Sequence, residues 1–304
     1  MIAAGRDDFT RATQAARALS VASRLPILAR FCSGRSTMAI EHIIAVASGK
    51  GGVGKSTTAV NLALALAARG AQTGILDADI YGPSIALMLG VADGTRPQTR
   101  GGNTLLPIEA HGLRSMSMAY LANERTPMVW RGPMAGGALV QMLEQTEWGD
   151  LDYLIVDMPP GTGDIQLTLA QKASLSGAVI VTTPQDIALL DARKGIEMFA
   201  KVKVPVLGVV ENMAFHECSA CGHRDAIFGE EGGSRIAEEY GVELLARLPL
   251  ERMIREKTDA GSPVMVSARE STAAQAYLAA AAGLQAQLSD AGPDDQPTIS
   301  FSDD

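Results

Sequence analysis

The sequence predicts an α/β protein with three layers, α/β/α, in which a mostly parallel central sheet lies between two layers of helices. Short runs rich in Val, Ile and Leu alternate along the chain with Ala- and Leu-rich runs of helical length, as in sheets built from strand–helix–strand units. Aromatic residues make up only 4% of the 304 residues. Glycine-rich or acidic segments follow several apolar runs, at the strand ends where ligands bind in such folds.

The alternation begins near residue 43 and continues to residue 288. Predicted strands are 43–47, 73–76, 105–109, 113–118, 153–156, 178–182, 206–210 and 243–248. Predicted helices are 58–69, 134–145, 165–172, 187–201, 233–240 and 273–288. Segment 92–104 is predicted to be a loop or a ragged hairpin, and segment 212–229 is a predicted loop. Because the carboxyl ends of parallel strands share one edge of a sheet, the motifs that follow these strands can form one site.

Composition narrows the class of protein. The formal net charge of −8 argues against a broad nucleic-acid-binding surface. No apolar run approaches the length of a membrane span, so we expect neither nucleic acid nor membrane as a partner. The three cysteines are too few for a disulfide framework and favour a reducing, intracellular compartment.

Both ends of the chain differ from the centre. Residues 1–37 are rich in Ala, Ser and Arg, with Asp7 and Asp8 as their only acids. This pattern fits a disordered extension, a reading frame whose true start is Met38, or a mitochondrial transit peptide. Residues 38–288 are predicted to form the folded domain, and residues 289–304, rich in Pro, Ser and Asp, an acidic disordered tail.

A phosphate-binding loop is the strongest single motif. Residues 49–56 match G-x-x-x-x-G-K-[ST] at every fixed position, between a predicted strand and a predicted helix. Glycines let backbone N–H groups turn toward an anion, and the helix adds the positive end of its dipole. We expect Lys55 to reach the β- and γ-phosphates of ATP and the Ser56 hydroxyl to bind Mg²⁺. The predicted nucleotide contacts here are Gly49, Lys50, Gly51, Gly52, Val53, Gly54, Lys55, Ser56 and Thr57.

Lys50 is a second lysine in the loop, directly after its first glycine. This placement resembles the deviant phosphate-loop ATPases, in which the equivalent lysine reaches the nucleotide of a partner subunit. There it would stabilise charge that develops on the γ-phosphate. The alternative is a solvated loop lysine.

Three acidic residues follow predicted strands. Asp77 and Asp79 end the second strand, where a carboxylate can activate the attacking water or hold the outer shell of Mg²⁺. By analogy with these ATPases, Asp79 is assigned to the water and Asp77 to the outer shell; the alternative is an Asx turn or a helix cap. Asp157 ends an apolar strand, the position of the acid that binds Mg²⁺ through water. The following residues 161–164 suit a switch that senses the γ-phosphate.

Asn212 follows another strand, where a side-chain amide can recognise adenine through a paired donor and acceptor. A turn asparagine is the alternative.

Cys218 and Cys221 form a C-x-x-C pair with Gly222 directly after it. Thiolates at this spacing suit Zn²⁺ or an iron–sulfur cluster. The chain supplies one such pair, so a four-thiolate site needs a second subunit, and a twofold dimer would provide enough ligands for a [4Fe–4S] cluster. The flanking His216 and His223 keep zinc open, and a redox dithiol or two unrelated thiols are further alternatives.

Taken together, these motifs resemble the Mrp/ApbC family of iron–sulfur cluster carrier ATPases, in the MinD-like branch of the phosphate-loop NTPases. The resemblance covers about residues 42–288. The matching segments are SGKGGVGKSTTAVNLA from Ser48, LDADIYGPS from Leu76, MVWRGPM from Met128, VDMPPGTGDIQLT from Val156, TTPQDIALLD from Thr182, ENM from Glu211, and the C-x-x-C pair.

The resemblance implies a homodimer that binds ATP and Mg²⁺, hydrolyses ATP slowly and bridges a labile [4Fe–4S] cluster through Cys218 and Cys221 of both subunits. It further implies transfer to apo iron–sulfur proteins, with scaffold proteins as cluster donors. We expect a cytoplasmic protein, with the mitochondrial matrix as the alternative. The competing function is a MinD- or ParA-like positioning ATPase with a zinc or redox C-x-x-C. That class needs a basic membrane helix or DNA-binding face, whereas the tail here is acidic. An electron donor like the nitrogenase iron protein fits the C-x-x-C less well.

Overall fold

The computed structural model describes residues 40–121 and 132–290. Its strands are β1 (Ile40–Ala47), β2 (Thr73–Asp77), β3 (Thr99–Arg100), β4 (Thr104–Leu105), β5 (Ile108–Ala110), β6 (Leu113–Ser117), β7 (Leu151–Asp157), β8 (Gly177–Thr182), β9 (Val206–Glu217), β10 (Arg224–Asp225) and β11 (Leu244–Pro249). Its helices, numbered in chain order, are α1 (Lys55–Ala68), α2 (Ile85–Met88), α3 (Met118–Leu121), α4 (Gly132–Gln145), α5 (Asp164–Lys172), α6 (Asp186–Lys201), α7 (Gly232–Tyr240), α8 (Arg252–Asp259), α9 (Val264–Ser267) and α10 (Thr272–Asp290).

One nine-stranded sheet forms the centre of the described fold. Its order is β10-β9-β8-β1-β7-β2-β6-β5, and β11 also pairs with β9. The pairs within β8-β1-β7-β2-β6 and around β8-β9-β11 are parallel, whereas β5 and β10 are antiparallel additions. The predicted three-layer, mostly parallel α/β architecture is therefore confirmed.

Two apolar cores cover the two faces of this sheet. Alternate residues of one strand enter different cores: Ile44 and Val46 of β1 pack with α1 and α10, and Ala45 and Ala47 pack with α4, α5 and α6. Such burial on both faces explains why the strands read as continuous apolar runs. Among the described residues, no helix combines the length and the apolarity that crossing a bilayer requires.

The structure differs from the sequence prediction in four places. The predicted loop 212–229 is wrong at its start, since β9 continues to Glu217 and pairs with β10. The predicted strand 105–109 divides into β4 and β5. Helices α2, α3, α8 and α9 were not predicted. Finally, α10 runs to Asp290, so the first two residues of the predicted tail are helical. Residues 1–37, Met128 and the rest of the tail lie outside the described residues.

Candidate functional site

The phosphate-binding loop occupies residues 48–54, between the end of β1 and the first residue of α1. Gly52 and Gly54 have φ angles of 83° and 85°, which residues with a Cβ rarely adopt. A Cβ on Gly49 would lie 2.1 Å from the backbone of Asp191, so only glycine lets the loop pack this closely on α6. The loop thus has the backbone freedom and the helix N-terminus that phosphate binding needs.

Lys55 lies inside the site and pairs with Asp157. Its Nζ donates to Asp157 Oδ1 at 2.6 Å and to Ser56 Oγ at 3.1 Å. Lys55 and Asp157 are 6% and 0% exposed. Burial raises the pKa of the Asp157 carboxyl, and the Lys55 ammonium opposes that shift.

The second oxygen of Asp157 fits a magnesium site. Oδ2 is buried and has no hydrogen-bond partner within the described residues, although buried carboxylate oxygens normally have one. Ser56 lies beside it, in contact with the same lysine. A carboxylate and a hydroxyl are hard oxygen donors of the kind that Mg²⁺ prefers, so these two residues suit the ion.

Asp77 lies next to Asp157 because β2 and β7 pair with these two residues in register. Its carboxylate accepts hydrogen bonds from the backbone N–H groups of Asp79, Ser84 and Ile85 and from the hydroxyl of Ser117. Burial, and after it the charge of Asp157, raises the pKa of Asp77 to about 7. The structure thus gives Asp77 the turn-and-cap role named above as the alternative, and its outer-shell role stays a prediction.

Asp79 is more accessible. Its carboxylate accepts a hydrogen bond from the backbone N–H of Gly82, to Oδ1 at 3.2 Å. It lines a cavity of about 320 Å³ together with Gly163 and Asp164 of the predicted switch segment. Asp79 therefore faces a cavity that the predicted switch segment also lines, whereas Asp77 is fully buried.

Two other predicted nucleotide contacts, Lys50 and Asn212, have different surroundings. Lys50 is half-buried on the loop, and its carbonyl accepts a hydrogen bond from Ser48 Oγ at 2.9 Å. Asn212 donates from Nδ2 to the carbonyl of Val53 at 2.8 Å, and its Oδ1 accepts from the N–H of Met213 at 2.9 Å. The structure thus joins Asn212 to the back of the phosphate loop, and adenine recognition by this residue stays a prediction.

Cys218 and Cys221 lie in the turn of a β-hairpin. The N–H of Cys218 donates to the carbonyl of His223 at 2.9 Å, and the N–H of Gly222 donates to the carbonyl of Cys218 at 2.8 Å. Gly222 has a φ of 73°. Both thiols are free, with Cys218 half-buried and Cys221 exposed. Backbone N–H groups of Ala220 and Cys221 lower the pKa of the Cys218 thiol, which favours the thiolate that binds metals.

The flanking histidines do not complete a metal site. His216 donates a hydrogen bond from Nδ1 to the carbonyl oxygen of Leu250 at 3.0 Å. Within residues 40–121 and 132–290, no group of three or more His, Cys, Asp and Glu side chains could hold a metal ion. The zinc alternative built on one subunit therefore lacks its ligands in the described part of the chain.

Arg224 is a supporting residue that the sequence reasoning missed. It lies opposite Glu217 in the β9–β10 pair and donates to its carboxylate at 2.8 Å. Its guanidinium also stacks over Phe215, 4.8 Å from the ring centre. If residues 219–222 are taken as a hairpin turn, the antiparallel register places Cys218 opposite His223 and Glu217 opposite Arg224.

The fold and the loop together define a phosphate-loop NTPase: a parallel sheet, a glycine-rich loop ending in Lys55 and Ser56 at the start of α1, and an acid on the neighbouring strand. The family model for the ParA group described as NUBPL iron-transfer P-loop NTPase matches residues 39–285, and the chain belongs to this family.

Curated relatives and solved structures agree with this assignment. The chain is 65% identical over 238 residues to the iron-sulfur cluster carrier protein of Pseudomonas fragi, a match that covers 78% of this chain and 83% of the relative. It is 52% identical over 241 residues to the mouse iron-sulfur cluster transfer protein NUBPL, covering 79% and 75% of the two chains. A nucleotide-binding protein of Archaeoglobus fulgidus, solved with ADP, shares 39% identity and a TM-score of 0.63 over 73% of this chain and 87% of that one. The cell division ATPase MinD of Pyrococcus furiosus, at 24% identity and a TM-score of 0.62 over 82% of this chain and 100% of its own, shares the fold.

Proposed function

We propose that this chain is an ATP-dependent carrier that holds a [4Fe–4S] cluster between Cys218 and Cys221 of two copies and transfers it to apoproteins. The names of the curated relatives, iron-sulfur cluster carrier and cluster transfer protein, support the cargo. The partners in this proposal are a second copy of the chain, scaffold proteins that load the cluster and apo iron–sulfur proteins that receive it. The proposed compartment is the cytoplasm, with the mitochondrial matrix as the alternative.

The observation that carries the proposal is the placement of the two thiols. They occupy the tip of a hairpin, and Cys221 is exposed, so a second chain can approach them. One hairpin supplies two thiols, and within the described residues no group of three or more His, Cys, Asp and Glu side chains could hold a metal ion. Since a [4Fe–4S] cluster takes four thiolates, two hairpins related by a twofold axis would complete the set.

The nucleotide site supports the ATP-dependent part. Lys55, released from Asp157, would contact the β- and γ-phosphates, and Ser56 with Asp157 would hold Mg²⁺. Mg²⁺ would supply neutralisation of the phosphate charge. Asp79 would orient a water for attack on the γ-phosphorus and accept its proton, while the bond from that phosphorus to the β–γ bridging oxygen breaks, so that ADP and inorganic phosphate leave. Lys50 of the second copy would stabilise the charge that develops.

The cluster is tested by anaerobic reconstitution followed by iron and sulfide analysis and absorption and EPR spectroscopy. We expect about four irons and four sulfides per dimer, as the cluster stoichiometry requires. The variants Cys218→Ala and Cys221→Ala should lose the cluster and keep ATP affinity, whereas Ser219→Ala, in the same turn, should keep both. A Cys218→Ala/Cys221→Ala protein that still forms an oxygen-labile chromophore would contradict the site, and stoichiometric zinc instead of iron would contradict the cargo.

A further inference from the structure

Strand β9 connects the phosphate loop to the cysteine hairpin. Asn212, in the middle of this strand, contacts the phosphate loop. The strand then runs without a break in the chain to Glu217, the residue before Cys218. Five residues separate Asn212 from Cys218, and these six steps along the chain span at most about 20 Å at the usual rise per residue of a strand.

The contact between Asn212 and the loop is tight. Nδ2 lies 2.8 Å from the carbonyl oxygen of Val53, and a Cβ added to Gly54 would lie 2.1 Å from the same nitrogen. The loop's N–H groups are the ones expected to turn toward phosphate. A change in the Val53–Gly54 backbone on phosphate binding would therefore act directly on the Asn212 amide.

The same amide also holds an irregular point of the strand. Its Oδ1 accepts from the N–H of Met213, and Met213 has a φ of 56°, a left-handed backbone that costs a residue with a side chain about 1–2 kcal/mol. The register of β9 against β11 shifts here: Glu211 faces Arg247 and Phe215 faces Pro249. Four steps on β9 oppose two on β11, which is a bulge, and bulges re-aim the chain that follows them.

Beyond the bulge, the strand has fewer neighbours. Pairing with β8 ends at Glu211, opposite Thr182. The segment that leads to the thiols is held by Phe215 against β11, by hydrogen bonds of Phe215 and His216 with Leu250, and by the short antiparallel pair with β10. Its direction therefore depends on the bulge that Asn212 holds.

We propose that Asn212 is a positioning residue that couples the phosphate loop to the cysteine hairpin, with Met213 as the hinge. Nucleotide that binds at residues 49–56 changes the contact between Val53 and Asn212. The backbone angles at Met213 then change, and with them the positions of Cys218 and Cys221. This inference rests on the proposed nucleotide site but needs no bound cluster, so it is testable apart from the cargo.

The test measures thiol reactivity in the full-length chain with Cys32→Ala, which removes the third cysteine. Labelling with a fluorescent maleimide is followed with and without saturating Mg²⁺ and a non-hydrolysable ATP analogue. We expect the nucleotide to change the labelling rate by about fivefold or more, the lower end of typical coupling between sites. In Asn212→Asp, which keeps the acceptor for Met213 and loses the donor for Val53, the ratio should fall to about 1, the value for uncoupled sites.

Asn61→Asp is the matched control. The Asn61 amide likewise joins two segments, donating to the carbonyl of Thr57 and accepting from the N–H of Met265, and both of these partners lie outside β9. This variant should keep the parental ratio even if it is less stable. If it loses the ratio as Asn212→Asp does, the effect is general loosening and the inference is wrong.

Three other outcomes also decide the question. If nucleotide does not change the labelling rate of the parental chain, the coupling is wrong, and the carrier function is still tested separately by iron and sulfide analysis. An Asn212→Asp protein that binds ATP more weakly but keeps the ratio at saturation overturns it in favour of base recognition. If Asn212→Asp binds no nucleotide, Met213→Gly decides, because glycine adopts a φ of 56° without strain. A softened hinge should lower the ratio with ATP affinity unchanged, and an unchanged ratio would refute the hinge.

Discussion

Replacing Lys55 by Met should destabilise the protein before any nucleotide is considered. The Lys55 ammonium lies 2.6 Å from Asp157, and the two side chains are 6% and 0% exposed. With an effective dielectric constant of about 20, the Coulomb attraction at this distance is about 6 kcal/mol, and desolvation of both ions offsets much of it. Removal of one partner leaves Asp157 buried and unpaired, which typically costs about 3–5 kcal/mol.

The size of that loss should depend on pH. Without Lys55, burial and the charge of Asp79 raise the pKa of Asp157 further above its unfolded value. Stability linked to such a group is complete below the unfolded pKa and is lost as pH rises through the folded pKa. The difference in the free energy of unfolding between parent and Lys55→Met should therefore be larger at about pH 8 than at about pH 5.

Urea unfolding followed by far-UV circular dichroism measures these differences. The double variant Lys55→Met/Asp157→Asn should recover most of the stability, since the buried charge is gone, yet neither variant should bind ATP well in calorimetry. Lys194→Met is the control, because Lys194 pairs with Asp191 at 2.9 Å but is 66% exposed, and such surface pairs contribute about 0–1 kcal/mol. The reasoning is refuted if Lys55→Met lies within about 1 kcal/mol of the parent, or if the double variant is no more stable than the single one.

Three further predictions concern the same site. Gly54→Ala should lower both stability, by about 1–2 kcal/mol or more, and ATP affinity, because φ is 85° and the new Cβ would meet Asn212 Nδ2 at 2.1 Å; Gly51→Ala, with open space around it, should be neutral in the same urea titration. The pKa of Asp77 rises from 3.8 to about 7 on folding, so its contribution to stability is complete below about pH 4 and is lost as pH rises through about 7. Asp77→Asn should therefore flatten this fall in the urea unfolding midpoints measured from about pH 5 to 8. An unchanged dependence of the midpoint on pH would count against the raised pKa of Asp77. Asp79→Asn should slow phosphate release from ATP by about 100-fold or more with little change in ATP affinity, and equal losses in both would indicate a structural role.

The fold and the phosphate loop were predictable because their signals are local. Apolar runs buried on both faces mark the strands, and the spacing of Gly49, Gly54 and Lys55 marks the loop. The role of Asp77 could not be predicted from the residues next to it in the sequence. Whether its carboxylate binds the outer shell of a metal or caps a turn depends in part on Ser117, which lies on another strand and donates a hydrogen bond to that carboxylate. No spacing rule connects residues that a crossover brings together.

The cysteine hairpin shows the same limit. The turn signals Asn212-Met213 and Cys218–Gly222 predicted one long loop, and each does mark an irregular point of the chain. What made the intervening residues a strand is pairing with β11 and β10, in particular Phe215 against Pro249. Helix α8 was missed for a related reason: its sequence is mostly charged, and Thr258 is its one fully buried residue.

The position of the hairpin on β9 also limits how the two sites can act. In the central sheet, the pairing of β9 with β8 ends at Glu211. Here the strand continues through Asn212 to Cys218, so no flexible linker separates the residue that contacts the phosphate loop from the first thiol. A movement of the loop cannot be absorbed by slack in the chain between them. It must be taken up at the bulge, at Met213, which is the one residue within β9 with a positive φ among those the structure describes. Control of the thiols by nucleotide therefore needs no second pathway through the helices.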